Sequence, residues 1–155
     1  METKTQVHAE EGKQEMTITR EFNLPVHLLF RACTEPELVA QWMGTNVRKL
    51  DSRNHGSYRY ETTDKEGKVV FQANGTIHAC VPDQKLVRTF EMDGTPYGVQ
   101  LEIHTFEPLT EDTSRLQMHV VYESVAQRDA VLKLPFTQGI NWAHNRLEEI
   151  MRKVS

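Results

Sequence analysis

The sequence predicts an α+β domain in which a curved antiparallel sheet packs around a long C-terminal helix, with an apolar cavity between the two. Apolar and polar residues alternate with period two across residues 46–122, and residues 136–154 carry an apolar stripe at helical spacing. A wide sheet with one apolar face has to be covered, and the last helix is the one predicted element long enough to cover it. Such a sheet twists and curves, which leaves space for a small ligand beside the helix.

The composition limits which kinds of protein this chain can be. The chain has 155 residues, of which 38% are hydrophobic and 26% charged, as in an ordinary single globular domain. Its net charge is -4, with a pI near 6.0 and no basic stripe. Nucleic acids and anionic membrane surfaces both require such a stripe, so neither is expected as a partner. No apolar run approaches the length that spans a membrane, so no membrane insertion is expected.

The N-terminal segment 1–14 is polar and lacks the apolar core of a signal peptide. We expect it to be a flexible leader to a single domain at residues 15–155, and we expect a cytoplasmic protein. The two cysteines, Cys33 and Cys80, match no zinc or redox spacing. Each is expected to be a small buried or half-buried thiol, a single disulfide between them would make no framework, and no metal or cofactor is expected.

The predicted elements follow one another without a repeat or a linker. The first strand lies at 16–22, and a short helix follows near 26–33. The second short helix begins at a capping box formed by Thr34 and Glu37, and Gly44 ends it. Six further strands complete a seven-stranded antiparallel sheet, and they are predicted at 46–51, 56–63, 68–80, 85–92, 98–107 and 114–122.

Two helices are predicted after the sheet. Ser124 and Gln127 form a capping box for a third short helix, which Pro135 ends. The long helix spans 136–154, and Trp142 lies off its apolar stripe, on the side expected to face solvent. The stripe comprises Phe136, Ile140, Ala143, His144, Leu147, Ile150, Met151 and Val154.

The inward face of the sheet is predicted from the alternation. Within 69–81 the odd-numbered residues are apolar and the even-numbered ones mostly polar. Val99, Leu101 and Ile103 are predicted to continue the apolar face. His78, His104 and His119 are then assigned to the polar face, where a solvated surface is favoured over a metal site because no carboxylate or cysteine joins them at a ligand spacing.

Three N-terminal segments resemble a known family. They are ITREFNLP at 18–25, LLFRA at 28–32 and TEPELVAQWMG at 34–44. Together they are similar to the opening of the homologues of the activator of heat-shock protein 90 ATPase, within the START-like (SRPBCC, Bet v-type) superfamily. Further agreement, mostly in glycines and spacing, extends the resemblance from about Met16 to the end of the chain.

The resemblance implies a helix-grip fold with a hydrophobic cavity, and it implies less about activity. Members of the superfamily include lipid carriers, polyketide cyclases, antibiotic-sequestering proteins and a chaperone co-activator, so the fold does not determine the function. The chain departs from the common pattern at His55, where many members have glycine, and at Thr45, where many have proline. It also has Ile140 where many have an aromatic residue or methionine. These departures affect the lining of the cavity.

The predicted cavity lining combines large side chains from the sheet and the helices. The candidates are Phe30, Trp42, Tyr58, Tyr60, Phe71, Arg88, Phe90, Leu101, Ile103, Met118, Tyr122, Phe136, Ile140 and His144. Within this set, Tyr58 and Tyr60 either present hydroxyls to a ligand or pack in the core. Phe30 and Trp42 either form a lid over the cavity or belong to the core.

Two of these candidates are polar. Arg88 shares strand parity with Leu86 and Phe90, so it is predicted to point inward. There it either holds a carboxylate or phosphate group with its planar fork, or a bulge turns it away. His144 lies on the apolar stripe of the last helix. It serves either as a polar anchor or proton carrier, or as a core histidine bonded to a backbone carbonyl.

Three functions remain open from the sequence. The first is a protein that binds a small apolar or amphipathic molecule. The second is a cavity enzyme of the cyclase or dehydratase type, which requires a buried polar pair such as Arg88 or His144 with a carboxylate. The third is a chaperone ATPase co-activator or another interaction module, in which a partner or a second copy covers Trp142. Because hydrolase, metalloprotease and phosphate-loop motifs are missing, no catalytic residue is assigned and a binding protein is favoured over an enzyme.

Overall fold

The computed structural model describes residues 4–154. Within them lie four helices, which are α1 (Val26–Thr34), α2 (Pro36–Met43), α3 (Val125–Leu132) and α4 (Phe136–Arg152). The strands of the described chain are β1 (Gln6–His8), β2 (Glu15–Phe22), β3 (Asn46–Leu50), β4 (Ser57–Thr63), β5 (Val69–Val81), β6 (Lys85–Met92), β7 (Val99–Pro108) and β8 (Ser114–Val121).

All these strands form one antiparallel sheet in the order β1-β2-β8-β7-β6-β5-β4-β3. Strands β3 to β8 are the predicted meander. The last strand of the meander, β8, pairs with β2. The inner side of α4 buries His144, Leu147 and Met151 against the sheet and the other helices. The α+β helix-grip fold predicted from the sequence is therefore confirmed. None of the helices in residues 4–154 is long and apolar enough to cross a membrane.

Within residues 4–154 the sheet has eight strands where seven were predicted. The additional strand, β1, lies inside the segment 1–14 that was expected to be a leader, and it pairs with β2 through Val7 and Ile18. Three residues are too few to show a period, so the alternation rule could not detect this strand. It is held in place by contacts to α4 that are described below, and residues 1–3 lie outside the described part of the chain.

Of the two predicted capping boxes, the one at Ser124 forms its N-cap hydrogen bond. The Ser124 hydroxyl accepts a hydrogen bond of 3.1 Å from the Gln127 amide at the start of α3. The box at Thr34 is wrong, because α1 continues through that residue and its hydroxyl donates back to the Phe30 carbonyl at 2.8 Å. Helix α2 instead begins with Pro36 at its first position, where the missing N–H has no intrahelical partner to lose.

A bulge interrupts the predicted alternation in β5. The register between β5 and β6 shifts between Ile77 and Ala79. Ala73 and Ile77, before the bulge, are buried as predicted, but Val81, after it, is exposed and Cys80 packs against the core instead. An extra residue in one strand reverses which side chains face inward beyond it.

Gly75 provides the space for a cross-strand contact. Tyr58 lies opposite Gly75 in the β4–β5 register, and its hydroxyl reaches across β5 to donate to the Thr89 carbonyl of β6. A Cβ atom at Gly75 would overlap both that carbonyl oxygen and the Tyr58 ring. The absent side chain thus lets an aromatic ring lie flat over the middle of the sheet.

We therefore expect Gly75→Ala to lower the free energy of unfolding by about 2 kcal/mol or more, because an overlap with backbone cannot relax cheaply. Urea unfolding followed by circular dichroism measures the change. The matched control is Gly139→Ala in α4, where nothing lies within 4 Å of the added atom. That change should stabilise by roughly 0.5–1 kcal/mol, through helix propensity alone. Equal effects of the two substitutions would show that Gly75 is not sterically constrained.

Candidate functional site

A cavity of about 260 Å³ lies between the sheet and helices α2 and α4. Most of its wall is apolar, and the polar groups come from strands β4, β6 and β7 and from one turn of α4. The apolar lining comprises Ile18, Cys33, Val39, Trp42, Met43, Leu86, Phe90, Leu116, Met118, Val120, Tyr122, Phe136, Ile140, Ala143 and Leu147. The polar lining comprises Tyr60, Arg88, Gln100, Glu102, His104 and His144.

The structure places most of the predicted lining residues around this cavity. They are Trp42, Tyr60, Arg88, Phe90, Met118, Tyr122, Phe136, Ile140 and His144. Most of them were predicted from strand parity or from helical spacing in α4, and the structure gathers them around one cavity. Whether they contact a ligand stays a prediction.

The remaining candidates lie elsewhere. Phe30 packs edge-to-face on Phe106 in the core, with ring centroids 5.0 Å apart. Tyr58 is buried behind Arg88, and Phe71 is half-buried at the margin of the core. Trp42 lines the cavity without Phe30, so the suggested lid of two aromatic residues does not form.

Strand β7 presents the face opposite to the predicted one. Leu101 is 39% exposed and lies on the outer side with Ile103, whereas Glu102 and His104 are each only 4% exposed and point inward. Glu102 lies directly opposite Arg88 in the β6–β7 register. Because a buried arginine requires a partner of opposite charge, this pairing outweighs the hydrophobicity of the leucine and isoleucine.

Arg88 points into the cavity, as its strand parity predicted. Its Nε donates to Glu102 Oε1 at 2.9 Å, and its Nη1 donates to the Tyr60 hydroxyl at 3.3 Å. The guanidinium also stacks on the Tyr58 ring at 4.8 Å, and Gln100 Nε2 donates to the second carboxylate oxygen, Oε2, at 2.6 Å. The positive charge of Arg88 is therefore balanced within the protein. This pairing weakens the interpretation in which Arg88 holds a carboxylate or phosphate of a ligand.

His104 completes this cluster. Its Nε2 lies 2.9 Å from Glu102 Oε1, so Glu102 is surrounded by hydrogen-bond donors. Burial raises the pKa of Glu102, but Arg88 and His104 outweigh it and hold that pKa at about 2. Burial lowers the pKa of His104, so the imidazole is neutral near pH 7. Glu102, Gln100 and His104 were not among the predicted lining residues. The signal that could have found them is a strand, β7, with alternating polar residues beside the strand that carries the inward Arg88.

His144 occupies the opposite wall of the cavity. Its Nδ1 lies 3.0 Å from the Thr5 hydroxyl, rather than against a backbone carbonyl, and its ring packs edge-to-face on Phe22. Burial lowers the pKa of His144 to about 3, and the positive charge of Arg20 and nearby His104 add to the shift. His144 is thus a neutral core histidine that also borders the cavity.

A second buried arginine lies behind His144. Arg20 is 2% exposed, and its Nη1 donates to Asn145 Oδ1 at 2.6 Å and to the Thr5 hydroxyl at 3.4 Å. Its Nη2 lies 3.6 Å from Glu148, and Asn141 Oδ1 accepts from the Thr5 amide at 3.0 Å. This network joins β1 and β2 to α4. It explains why the segment predicted as a leader forms a strand.

The three histidines assigned to one face do not share it. His104 is inward, while His119 is half-exposed and pairs with Glu15 at 3.3 Å. Among residues 4–154, no group of three or more His, Cys, Asp or Glu side chains is placed to hold a metal ion. Trp142 is 55% exposed on α4, as its position off the apolar stripe predicted, with the Arg146 guanidinium 5.2 Å from its ring.

Comparison with known families identifies the chain. A family model described as Activator of Hsp90 ATPase homolog 1-like protein matches residues 23–152. The chain belongs to this family. The matched range includes α1 through α4 and therefore every strand and helix that lines the cavity except β2. The resemblance inferred from the N-terminal segments is confirmed.

Solved structures of low identity share the fold. A protein from Rhodobacter sphaeroides has a TM-score of 0.85 at 21% identity, over 96% of this chain and 99% of that chain. A protein from Mycobacterium smegmatis has a TM-score of 0.83 at 20% identity, over 94% and 95%. A solution structure from Arthrobacter aurescens gives 0.83 at 16% identity, over 96% and 91%. At such identities the likeness shows the fold alone. No curated protein sequence matches the chain.

The neutral state of His144 predicts a pH dependence of stability. The unfolded state takes up a proton at this position near pH 6.5, whereas the folded state does so only near pH 3, so stability falls as the pH drops between these values. Between about pH 7 and pH 4, His144→Gln should lose less stability than the wild type, by on the order of 3 kcal/mol.

Urea unfolding at each pH measures this difference. His27→Gln, at an exposed position of α1, is the control and should follow the wild type. If the wild type and His144→Gln showed the same acid sensitivity, His144 would not be held neutral by its surroundings.

Proposed function

We propose that the protein binds a small apolar or amphipathic molecule in the cavity between the sheet and α4. The observation that carries this proposal is a largely apolar cavity of about 260 Å³ with a few polar groups gathered on its walls. Protein interiors are close-packed, with few voids larger than a water molecule. An apolar space of this size forfeits many packing contacts, and a bound molecule would restore them.

The volume indicates the size of the ligand. It lies just below the roughly 300–1,000 Å³ of typical small-molecule sites and equals the liquid volume of about nine water molecules. A compound with one or two rings, or a short aliphatic chain, suits such a space. A long acyl chain does not.

The charges indicate the character of the ligand. Among the described side chains that line the cavity, Arg88 is the one arginine or lysine and Glu102 is the one carboxylate. The two neutralise each other. A charged ligand would add an unpaired charge to an apolar interior, which is costly. An uncharged ligand with one polar end avoids this cost.

A cavity enzyme of the cyclase or dehydratase type is the second candidate. The buried Arg88–Glu102 pair, with His104 beside it, is the arrangement that this function requires. A neutral histidine oriented by a carboxylate is also the arrangement of a general base. The test is incubation of each bound compound with the protein and mass spectrometry of the products, where an unchanged compound argues for a binding protein.

Several finer expectations remain predictions. They are a cytoplasmic location, a homodimer and a chaperone partner. The family description refers to activation of Hsp90 ATPase, and the exposed Trp142 is the residue that such a partner, or a second copy of the chain, would cover.

A substitution that fills the cavity tests the proposal. Ala143 lines the cavity from α4, so Ala143→Leu should occupy part of the ligand space. The test is a screen of uncharged one- and two-ring aromatic compounds and short alcohols by thermal unfolding. At a concentration of about 100 Kd, a ligand should raise the melting temperature of the wild type by about 5 °C or more. Ala143→Leu should reduce that shift strongly while leaving the unliganded protein folded.

Gln138→Leu is the matched control, because it introduces the same side chain at an exposed position of the same helix. It should retain the full ligand-induced shift. A panel that shifts no melting temperature, or a shift that is equal in both variants, would contradict ligand binding in this cavity.

A further inference from the structure

His104 carries an unsatisfied polar atom at the cavity wall. Its side chain is almost fully buried, and its Nδ1 has no hydrogen-bond partner among residues 4–154. Buried polar atoms without a partner are rare in folded proteins and destabilise them. The same residue lines the cavity, so a ligand is a candidate for the missing partner.

The hydrogen-bond network determines which partner Nδ1 requires. Glu102 receives bonds from Arg88 Nε and Gln100 Nε2, so it is an ionised carboxylate and only accepts. His104 Nε2, at 2.9 Å from Glu102 Oε1, must therefore carry a hydrogen and donate it. In a neutral imidazole the other nitrogen, Nδ1, then has a free lone pair and accepts a hydrogen bond.

Charge balance keeps the imidazole neutral. Arg88 already neutralises Glu102, which is the one carboxylate among the described side chains lining the cavity. Protonation of His104 would place a second cation beside Arg88 without a second anion. Burial lowers the pKa of His104, Glu102 raises it and the charge of Arg88 lowers it again, and the net shift is downward, in agreement with this argument.

The neighbours of His104 border the same cavity. Leu86 and Met118 are its cross-strand neighbours on β6 and β8, and both line the same cavity. A methionine side chain is unbranched and adapts to its surroundings. Nδ1 itself has almost no accessible surface, so the contact proposed below requires the flexible Met118 side chain to rotate and admit a small polar group.

We propose that the cavity selects an uncharged amphipathic ligand with a hydroxyl-type hydrogen-bond donor, and that His104 Nδ1 accepts the hydrogen bond from it. This inference rests on the proposed binding function and adds the chemical class of the ligand. Its apolar body fills the space beneath α4, while its hydroxyl group joins the Arg88–Glu102–His104 cluster. A neutral acceptor favours phenols and alcohols over carboxylates and phosphates.

Three probes of similar shape test the ligand class on the wild-type protein. They are 2-naphthol, which carries a donor, 2-fluoronaphthalene, which has none, and 2-naphthoate, which is an anion. Calorimetry should give a Kd for 2-naphthol that is roughly 10- to 100-fold lower than for 2-fluoronaphthalene, as expected for one buried hydrogen bond. The anion should bind more weakly than either.

A pair of variants tests the residue. In His104→Phe, the preference for 2-naphthol over 2-fluoronaphthalene should fall to about one, because the acceptor is gone while Arg88 and Gln100 still satisfy Glu102. His119→Phe is the control, because His119 is on the neighbouring strand and faces the outer side of the sheet, and it should keep the preference. If His104→Phe fails to fold, the nitrogen-15 resonance of His104 Nδ1 in the wild type provides the readout. It should shift on addition of 2-naphthol and not of 2-fluoronaphthalene.

The outcomes separate the two proposals. Equal affinity of the wild type for 2-naphthol and 2-fluoronaphthalene would overturn the role of His104 but support an apolar binding cavity. Tightest binding of 2-naphthoate would overturn the inference in favour of an anion held by Arg88. Failure of every probe to bind would overturn both this inference and the proposed function.

Discussion

The buried ion pair between Arg88 and Glu102 is the interaction on which the interior of this protein depends. Neither charge is tolerated alone in an apolar interior, so the two strands that carry them have to pair in the register that brings them together. That register turns the polar face of β7 inward. It thereby places Gln100 and His104 at the cavity and Leu101 on the outside.

A second buried arginine organises the other side of α4. Arg20 connects β2 to Asn145 and Glu148 on the helix and to Thr5 beside β1. The Arg20 cluster contacts α4 directly, whereas the Arg88 cluster lies within strands β4, β6 and β7. One supports the helix against the sheet edge, and the other leaves polar groups facing the cavity. The same type of side chain therefore has a structural role in one place and borders the candidate site in the other.

Membership of the family explains the fold. The choice of ligand depends on the residues of the cavity wall. The helix-grip fold is shared with structures of about 20% identity, and unrelated functions use such a framework. In this chain the cavity wall carries a carboxylate-oriented histidine and a neutralised arginine within a small apolar space. The proposal of an uncharged hydroxyl compound as the ligand rests on this cavity wall and not on family membership.

The sequence by itself determined the order of the elements, seven of the eight strands, the apolar stripe of α4 and the inward direction of Arg88. These features depend on periodicity and turn residues, which act between near neighbours in the chain. Only the tertiary structure decided the pairing of β1, the bulge in β5 and the face of β7 that lines the cavity. Each of these depends on a partner distant in sequence, above all on the carboxylate that a buried arginine requires. Local sequence patterns do not identify such a partner.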